Sequence, residues 1–150
     1  SYDLNAWNKL PFASIQESRG VNDERLLPYD LECRNCVCHS TIAVQMGLNF
    51  HTQVAISKGA IEGLTRCLAA EWAPQIRVNA VAPSLVNTDL AARLLSTPEK
   101  VEVSGKRHPL QRVGEAADIA SAVLFLLGEG SDWMTGQVMA VDGGMGSLRS

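Results

Sequence analysis

Apolar positions fall into two regimes along the chain. Between Pro11 and Asp30 the run PFASIQESRGVNDERLLPYD is polar, is broken by Gly20 and Pro28, and holds neither a helical nor an alternating period. It predicts loop or weakly ordered chain, preceded only by a short amphipathic turn at Leu4 to Leu10 around Trp7. From Val37 onward the pattern turns regular. An organisational boundary therefore falls near 31–36, with an irregular lead over 1–36 and one organised unit over 37–150. No internal repeat or low-complexity tract occurs.

Within the regular part, 37–44 alternates loosely ahead of Gly47 and predicts a strand. His51 or Thr52 then starts a helix. Thr52 is the better N-cap, because its hydroxyl accepts from an amide two or three residues on. Val54, Ile61, Leu64, Leu68 and Trp72 recur at three- and four-residue spacing, giving one apolar stripe on a helix that Pro74 stops. The β-branched run 76–81, bounded by Pro74 and Pro83, predicts a buried strand. Asn87 or Thr88 then caps a short helix carrying Leu90, Leu94 and Leu95, and 100–112 is mostly polar up to Gly114. Glu115, Ala116 and Asp118 open a further helix with negative charge, which suits its positive end. Ile119, Val123, Leu126 and Leu127 form its stripe, Gly128 or Gly130 ends it, and 136–141 is a final strand before the turn Asp142, Gly143, Gly144. This order predicts an α/β domain with a parallel sheet, since parallel neighbours need crossovers of such length.

Composition narrows the partners. The chain has 150 residues, enough for one domain or a piece of one, and its 46% hydrophobic and 19% charged residues exclude disordered, collagen-like or disulfide-dense classes. Thirteen Lys and Arg stand against 16 Asp and Glu, for a net charge of −3. With no basic run, nucleic acid and an anionic membrane surface are not its expected partners. No apolar run matches a membrane span, and SYDLNAWNKL lacks the layout of a secretory signal, so a soluble protein of the cytoplasm or an organelle matrix is expected. Ser1 in place of Met suggests processing, a cut boundary or an incomplete chain.

Cys33, Cys36 and Cys38, with His39 adjacent, have the look of half a zinc site, but no later C-x-x-C or H-x-x-x-H completes it. No metal is expected. The reading is of small strand side chains, reduced in the absence of a secretory signal. Lys58 is out of place. At about 100° per residue it lies roughly 40° from Val54, inside or beside the stripe. It either snorkels, its stem covering apolar surface while the ammonium reaches water, or it is functional.

Three motifs bear on that choice. S-K-G-A at Ser57 to Ala60, R-V-N-x-x-x-P at Arg77 to Pro83 with Thr88 beyond, and V-D-G-G at Val141 to Gly144 occur in order. With them, the stretch from His39 resembles the carboxy-terminal half of the short-chain dehydrogenase/reductase family. The resemblance implies a partial, doubly wound Rossmann-like parallel sheet with flanking helices, its amino-terminal βα units missing. It implies NAD or NADP as cofactor, a small-molecule carbonyl or alcohol as substrate, and a homo-oligomer formed through the helix at 53–73 and the final strand region. Lys58 would hydrogen-bond the nicotinamide ribose and lower the pKa of a neighbouring acid. The loop 83–88 would pass along the nicotinamide, using Pro83, backbone near Ser84 and Val86, and the Thr88 hydroxyl. Asn79 and the Asp142-Gly143-Gly144 turn would be structural.

The chain also departs from the family pattern. The family acid is a tyrosine four residues before the lysine, where this chain has Val54. The family serine, about thirteen residues before that tyrosine, becomes Thr41 with Ser40 beside it, so a hydroxyl for the substrate oxygen is kept. His51, near the start of the same helix, is the candidate replacement proton donor, because imidazole titrates near neutrality. No glycine-rich phosphate turn occurs anywhere in the chain, and only Asp3 to Leu10 resembles the start of the family's preceding helix. A spliced, frameshifted or fragmentary chain would have this form. Two functions follow: a hydride-transferring oxidoreductase impaired in this chain, or a non-catalytic truncated relative acting as an oligomerisation or interaction module. Leu90, Leu94 and Leu95 would give the substrate an apolar wall.

Overall fold

The computed structural model describes residues 34–148. The amphipathic turn at Leu4 to Leu10 and almost all of the irregular lead lie outside the described residues. Three strands form a parallel sheet in the order β1, β2, β5, where β1 is Asn35–His39, β2 is Arg77–Pro83 and β5 is Val138–Val141. The two-residue strands β3 (Val86–Asn87) and β4 (Gly114–Glu115) pair in parallel as a second, small sheet. The described part is thus α/β with a parallel sheet, as the periodicity predicted.

β2 is the centre. Val78, Ala80, Val81 and Ala82 are fully buried, the near-continuous apolar run of a strand covered on both faces. Helix α2 (Thr52–Trp72) connects β1 to β2 and covers one face, where Ser40 meets Glu62. Helix α4 (Ala116–Leu127) covers the other, where Asn35 donates to the Leu127 carbonyl and Arg77 to that of Leu126.

Several boundaries differ from the sequence expectation. The run 37–44 is not one strand. β1 ends at His39, and helix α1 (Ala43–Met46) follows. Ladder contact with β2 continues through the Ser40 and Ile42 amides, but the Thr41 hydroxyl donates to the Pro83 carbonyl and accepts from the Ala43 amide, which turns the chain. Thr52 is the first helical residue rather than the cap; His51 holds the N-cap position without a side-chain capping bond. The buried face of α2 is Glu62, Thr65 and Ala69, not the expected stripe, of which Val54 is exposed and Ile61, Leu64, Leu68 and Trp72 are half-buried. Beyond β2, the expected leucine helix is a 3-10 turn at Asp89–Ala91 with Thr88 at its N-cap, and Leu90 and Leu94 point to solvent. The stretch read as merely polar contains α3 (Pro98–Gly105), which Thr97 caps at the Lys100 amide. The acidic opening of α4 is a capping box between Glu115 and Asp118.

Candidate functional site

In parallel α/β sheets the carboxyl ends of the strands share one edge, where loops gather functional groups. Here that edge carries His39, Ser40 and Thr41 after β1, Pro83 and Ser84 at the end of β2, and Asp142 after β5. The register His39↔Val81 and Pro83↔Val141 sets the three ends side by side.

Lys58 lies on the second turn of α2 and is half-buried. Its Nζ donates to the His39 carbonyl at 2.9 Å. The ammonium therefore turns to the strand ends rather than snorkelling into open solvent. An ammonium has three donors, so two remain. One helical turn earlier, Val54 presents an apolar, 42% exposed side chain.

Ser40 is buried and donates to Glu62 Oε1 at 2.7 Å, so its hydroxyl is committed to the helix. Thr41 is half-buried beside it, its hydroxyl 3.2 Å from the Pro83 carbonyl, which ties the ends of β1 and β2 together. His51 stands apart on the exposed start of α2. Its Nδ1 lies 2.7 Å from the Asn49 carbonyl, an atom that only accepts, so Nδ1 carries a proton. The ring lines a groove of about 400 Å³ with Ala43, Gly47, Leu48, Thr52, Ala55 and Ile56.

Ser84 is claimed by a partner the sequence did not announce. Its Oγ lies 2.8 Å from Nε2 of buried His108, whose Nδ1 is 2.9 Å from the Ser104 carbonyl. By the same logic Nδ1 donates to the Ser104 carbonyl, and the Ser84 hydroxyl lies between His108 Nε2 and Met145 Sδ, the latter 3.2 Å away. This pins the start of the 83–88 loop to the end of α3. Val86 is held further along by pairing with Gly114, while the exposed Thr88 hydroxyl makes only a long contact, 3.5 Å, to the Val86 carbonyl. Asp142 is fixed too, its carboxylate accepting from the Gly144 and Gly146 amides around glycines at positive φ.

The structure thus brings Lys58, Thr41, Pro83 and Ser84 to one edge and leaves His51 on a neighbouring groove. Glu62 was detectable: it lies roughly 40° from Lys58 around the helix, so the angular argument applied to the lysine flags it as well. The Ser84–His108 pair had no local signal. None of the three sheet strands runs into a glycine-rich turn capped by a helix. Among the described residues no group of His, Cys, Asp and Glu is placed to hold a metal ion, and no helix is long and apolar enough to cross a membrane.

Comparison with known proteins gives this arrangement a context. A family model described as enoyl-(acyl carrier protein) reductase matches residues 26–146. Galactitol 2-dehydrogenase (L-tagatose-forming) of Cereibacter sphaeroides is 44% identical over 96 residues, 63% of this chain and 38% of the relative. A short-chain type dehydrogenase/reductase from Mycobacterium ulcerans superimposes with a TM-score of 0.70 and 32% identity, over 77% of this chain and 42% of that one. A gluconate 5-dehydrogenase from Burkholderia cenocepacia, solved in complex with NADP and tartrate, gives 0.71 and 28%, over 77% and 46%. The chain spans less than half the length of each of these relatives. Motifs, parallel sheet and family match agree, and the chain belongs to the short-chain dehydrogenase/reductase family.

Proposed function

We propose that this chain supplies the nicotinamide and substrate side of an NAD(P)-dependent oxidoreductase site acting on a small-molecule alcohol or carbonyl. The Lys58 ammonium, aimed at the carboxyl ends of the strands with two donors to spare, is the observation that carries the reading. The residues present fit one half of the cofactor. Lys58 would hold the ribose hydroxyls, and backbone at Pro83, Ser84 and Val86 with the Thr88 hydroxyl would line the carboxamide. The Ser84 side chain serves instead to hold the loop in place. The pyrophosphate half has no counterpart among the described residues, since no strand-to-helix turn presents a cradle of amides to it.

When bound beside Lys58 and the 83–88 loop, the nicotinamide would supply the hydride chemistry. Thr41 would hydrogen-bond the substrate oxygen once its hydroxyl turns from the Pro83 carbonyl, with Ser40 anchoring the segment behind it through Glu62. Valine at 54 holds no proton, so proton exchange would fall to His51, the imidazole on the neighbouring groove between α1 and α2. Without a hydroxyl at position 54, turnover at this site would be slow.

A fluorescence titration with NADH and NADPH tests the reading. Saturable binding, lost in Lys58→Ala, is expected. No binding at millimolar cofactor overturns it in favour of the second reading, a non-catalytic module, which the apolar Val54 at the proton-donor position supports. Once binding is shown, Val54→Tyr is expected to raise carbonyl reduction. Unchanged turnover means the missing acid belongs elsewhere.

A further inference from the structure

His108 is 2% exposed and stands where three chain segments meet at the carboxyl edge of the sheet. Its Nε2 is 2.8 Å from Oγ of Ser84, the first residue after β2, and its Nδ1 is 2.9 Å from the Ser104 carbonyl in α3. The same ring packs on the turn after β5: a Cβ placed on Gly143 would lie 3.4 Å from His108 Cβ and 3.5 Å from its Cδ2. The Leu110 amide donates to the Gly143 carbonyl, and Met145 Sδ is 3.2 Å from Ser84 Oγ. The His108 carbonyl accepts from both the amide and Nε2 of Gln111, whose φ of 56° puts a non-glycine residue in the left-handed region. Backbone and ring are both held, so the imidazole is a fixed point rather than a side chain that follows the loop.

We propose that His108 is a positioning residue for the nicotinamide side of the site: by holding Ser84 Oγ against the turn after β5, it sets where the backbone of the 83–88 loop stands. The inference rests on the reading that this loop lines the carboxamide, and adds to it a residue from outside the loop. Ser84 lies between two backbone ties, the end of the β2 ladder at Pro83 and the pairing of Val86 with Gly114. The imidazole holds the residue between them by its side chain. Backbone groups that meet a ligand bind it best when they already stand within hydrogen-bonding range, because a loop that must be ordered on binding gives up part of the affinity.

The two ring nitrogens have separable tasks. Nδ1 anchors the ring to α3, and Nε2 acts on the loop. An asparagine side chain puts an N–H close to the place of Nδ1 and stops short of Nε2. A glutamine side chain reaches the place of Nε2 with a carboxamide that can donate or accept, and gives up the bond to Ser104.

Amide hydrogen exchange over 84–92, followed by mass spectrometry on the full chain without cofactor, is the first test. His108→Asn should speed exchange there about three- to tenfold, the loss of one hydrogen bond, while His108→Gln stays near the parent. Parent-like exchange in His108→Asn, or faster exchange in His108→Gln than in His108→Asn, overturns the proposal and leaves His108 as a tie within α3. Ser84→Ala, which leaves α3 intact, should match His108→Asn and carries the test alone if that variant does not fold. Combined, the two substitutions should speed exchange no further than either one; additive effects overturn the proposal. NADH fluorescence titration is the second test. Affinity should fall about three- to tenfold in His108→Asn and Ser84→Ala and be kept in His108→Gln. Affinity that follows Tm across the variants instead of the exchange over 84–92 overturns the positioning role. A parent chain that binds no NADH overturns the nicotinamide reading and with it the cofactor side of this one, while the exchange data decide separately whether His108 holds the loop.

Discussion

Asn79 is 1% exposed, and both ends of its carboxamide are in use: Nδ2 donates to the Met134 carbonyl, and Oδ1 accepts from the Gln137 amide. One side chain in the central strand thus fixes the approach to β5. Asn79→Ala would leave the Gln137 amide without a partner in the interior, at a cost of about 1–3 kcal/mol, while the Met134 carbonyl keeps Arg77 Nη1. Urea denaturation should show a loss in this range with an unchanged m-value; a loss below about 0.5 kcal/mol would mean that water replaces the carboxamide. Asp118 gives a second prediction, with a definite sign in pH. The Arg112 guanidinium, with the Glu115 amide, holds its carboxyl down to about 2. A depressed carboxylate contributes stability that is present above its unfolded value and is lost as pH falls through its folded value. Asp118→Asn should therefore lower Tm at neutral pH, and the gap to the parent should close between about pH 4 and about pH 2. A gap that stays constant through that window would assign the effect to packing instead. At this scale the sequence was informative about Lys58 and Asn79, whose motifs flagged them, and silent about His108, whose serine partner is 24 residues away.

Long elements with clear punctuation were legible. α2 and α4 span many turns, and Pro74 and Gly128 stand directly beyond or close to their ends, so periodicity placed them correctly. α3 was not, because both valines of its eight residues, Val101 and Val103, are exposed and it buries only a glycine. The split of β1 from α1 was also hidden, since it depends on the Thr41 hydroxyl reaching a carbonyl 42 residues on. The buried face of α2 is the more instructive difference. Glu62, Thr65 and Ala69 face β1 and β2, and Ala69 also lies 3.5 Å from the position a Cβ would take on Gly136. Ala69 is buried, with that contact already at van der Waals distance, so a larger side chain there has to displace its neighbours. Ala69→Leu should destabilise by about 1–3 kcal/mol through overpacking, even though it adds apolar surface. Thermal unfolding would show a lowered midpoint; a raised one would mean that the interface carries a void.

At the scale of the described body, the sheet and helices place apolar surface where nothing in the body covers it. β1 is an edge, and an edge strand offers its amides and carbonyls as a template for another chain. Beside it, Asn35 bonds the last residue of α4, whose Leu124, Phe125 and Leu127 are 68%, 44% and 38% exposed. A hydrophobic patch continuous with an open strand edge favours association over isolation. The family resemblance placed the subunit contact on the helix at 53–73, where Ile56 is 70% exposed. The α4 patch offers a contact separate from Ile56, which lines the His51 groove. Light scattering across a concentration series should therefore show a mass above that of one chain. Leu124→Glu should bring it down toward the monomer, and Ile56→Glu should leave it unchanged. The reverse pair of results would move the contact to α2, and a monomer at every concentration would show that the edge is already covered within one chain.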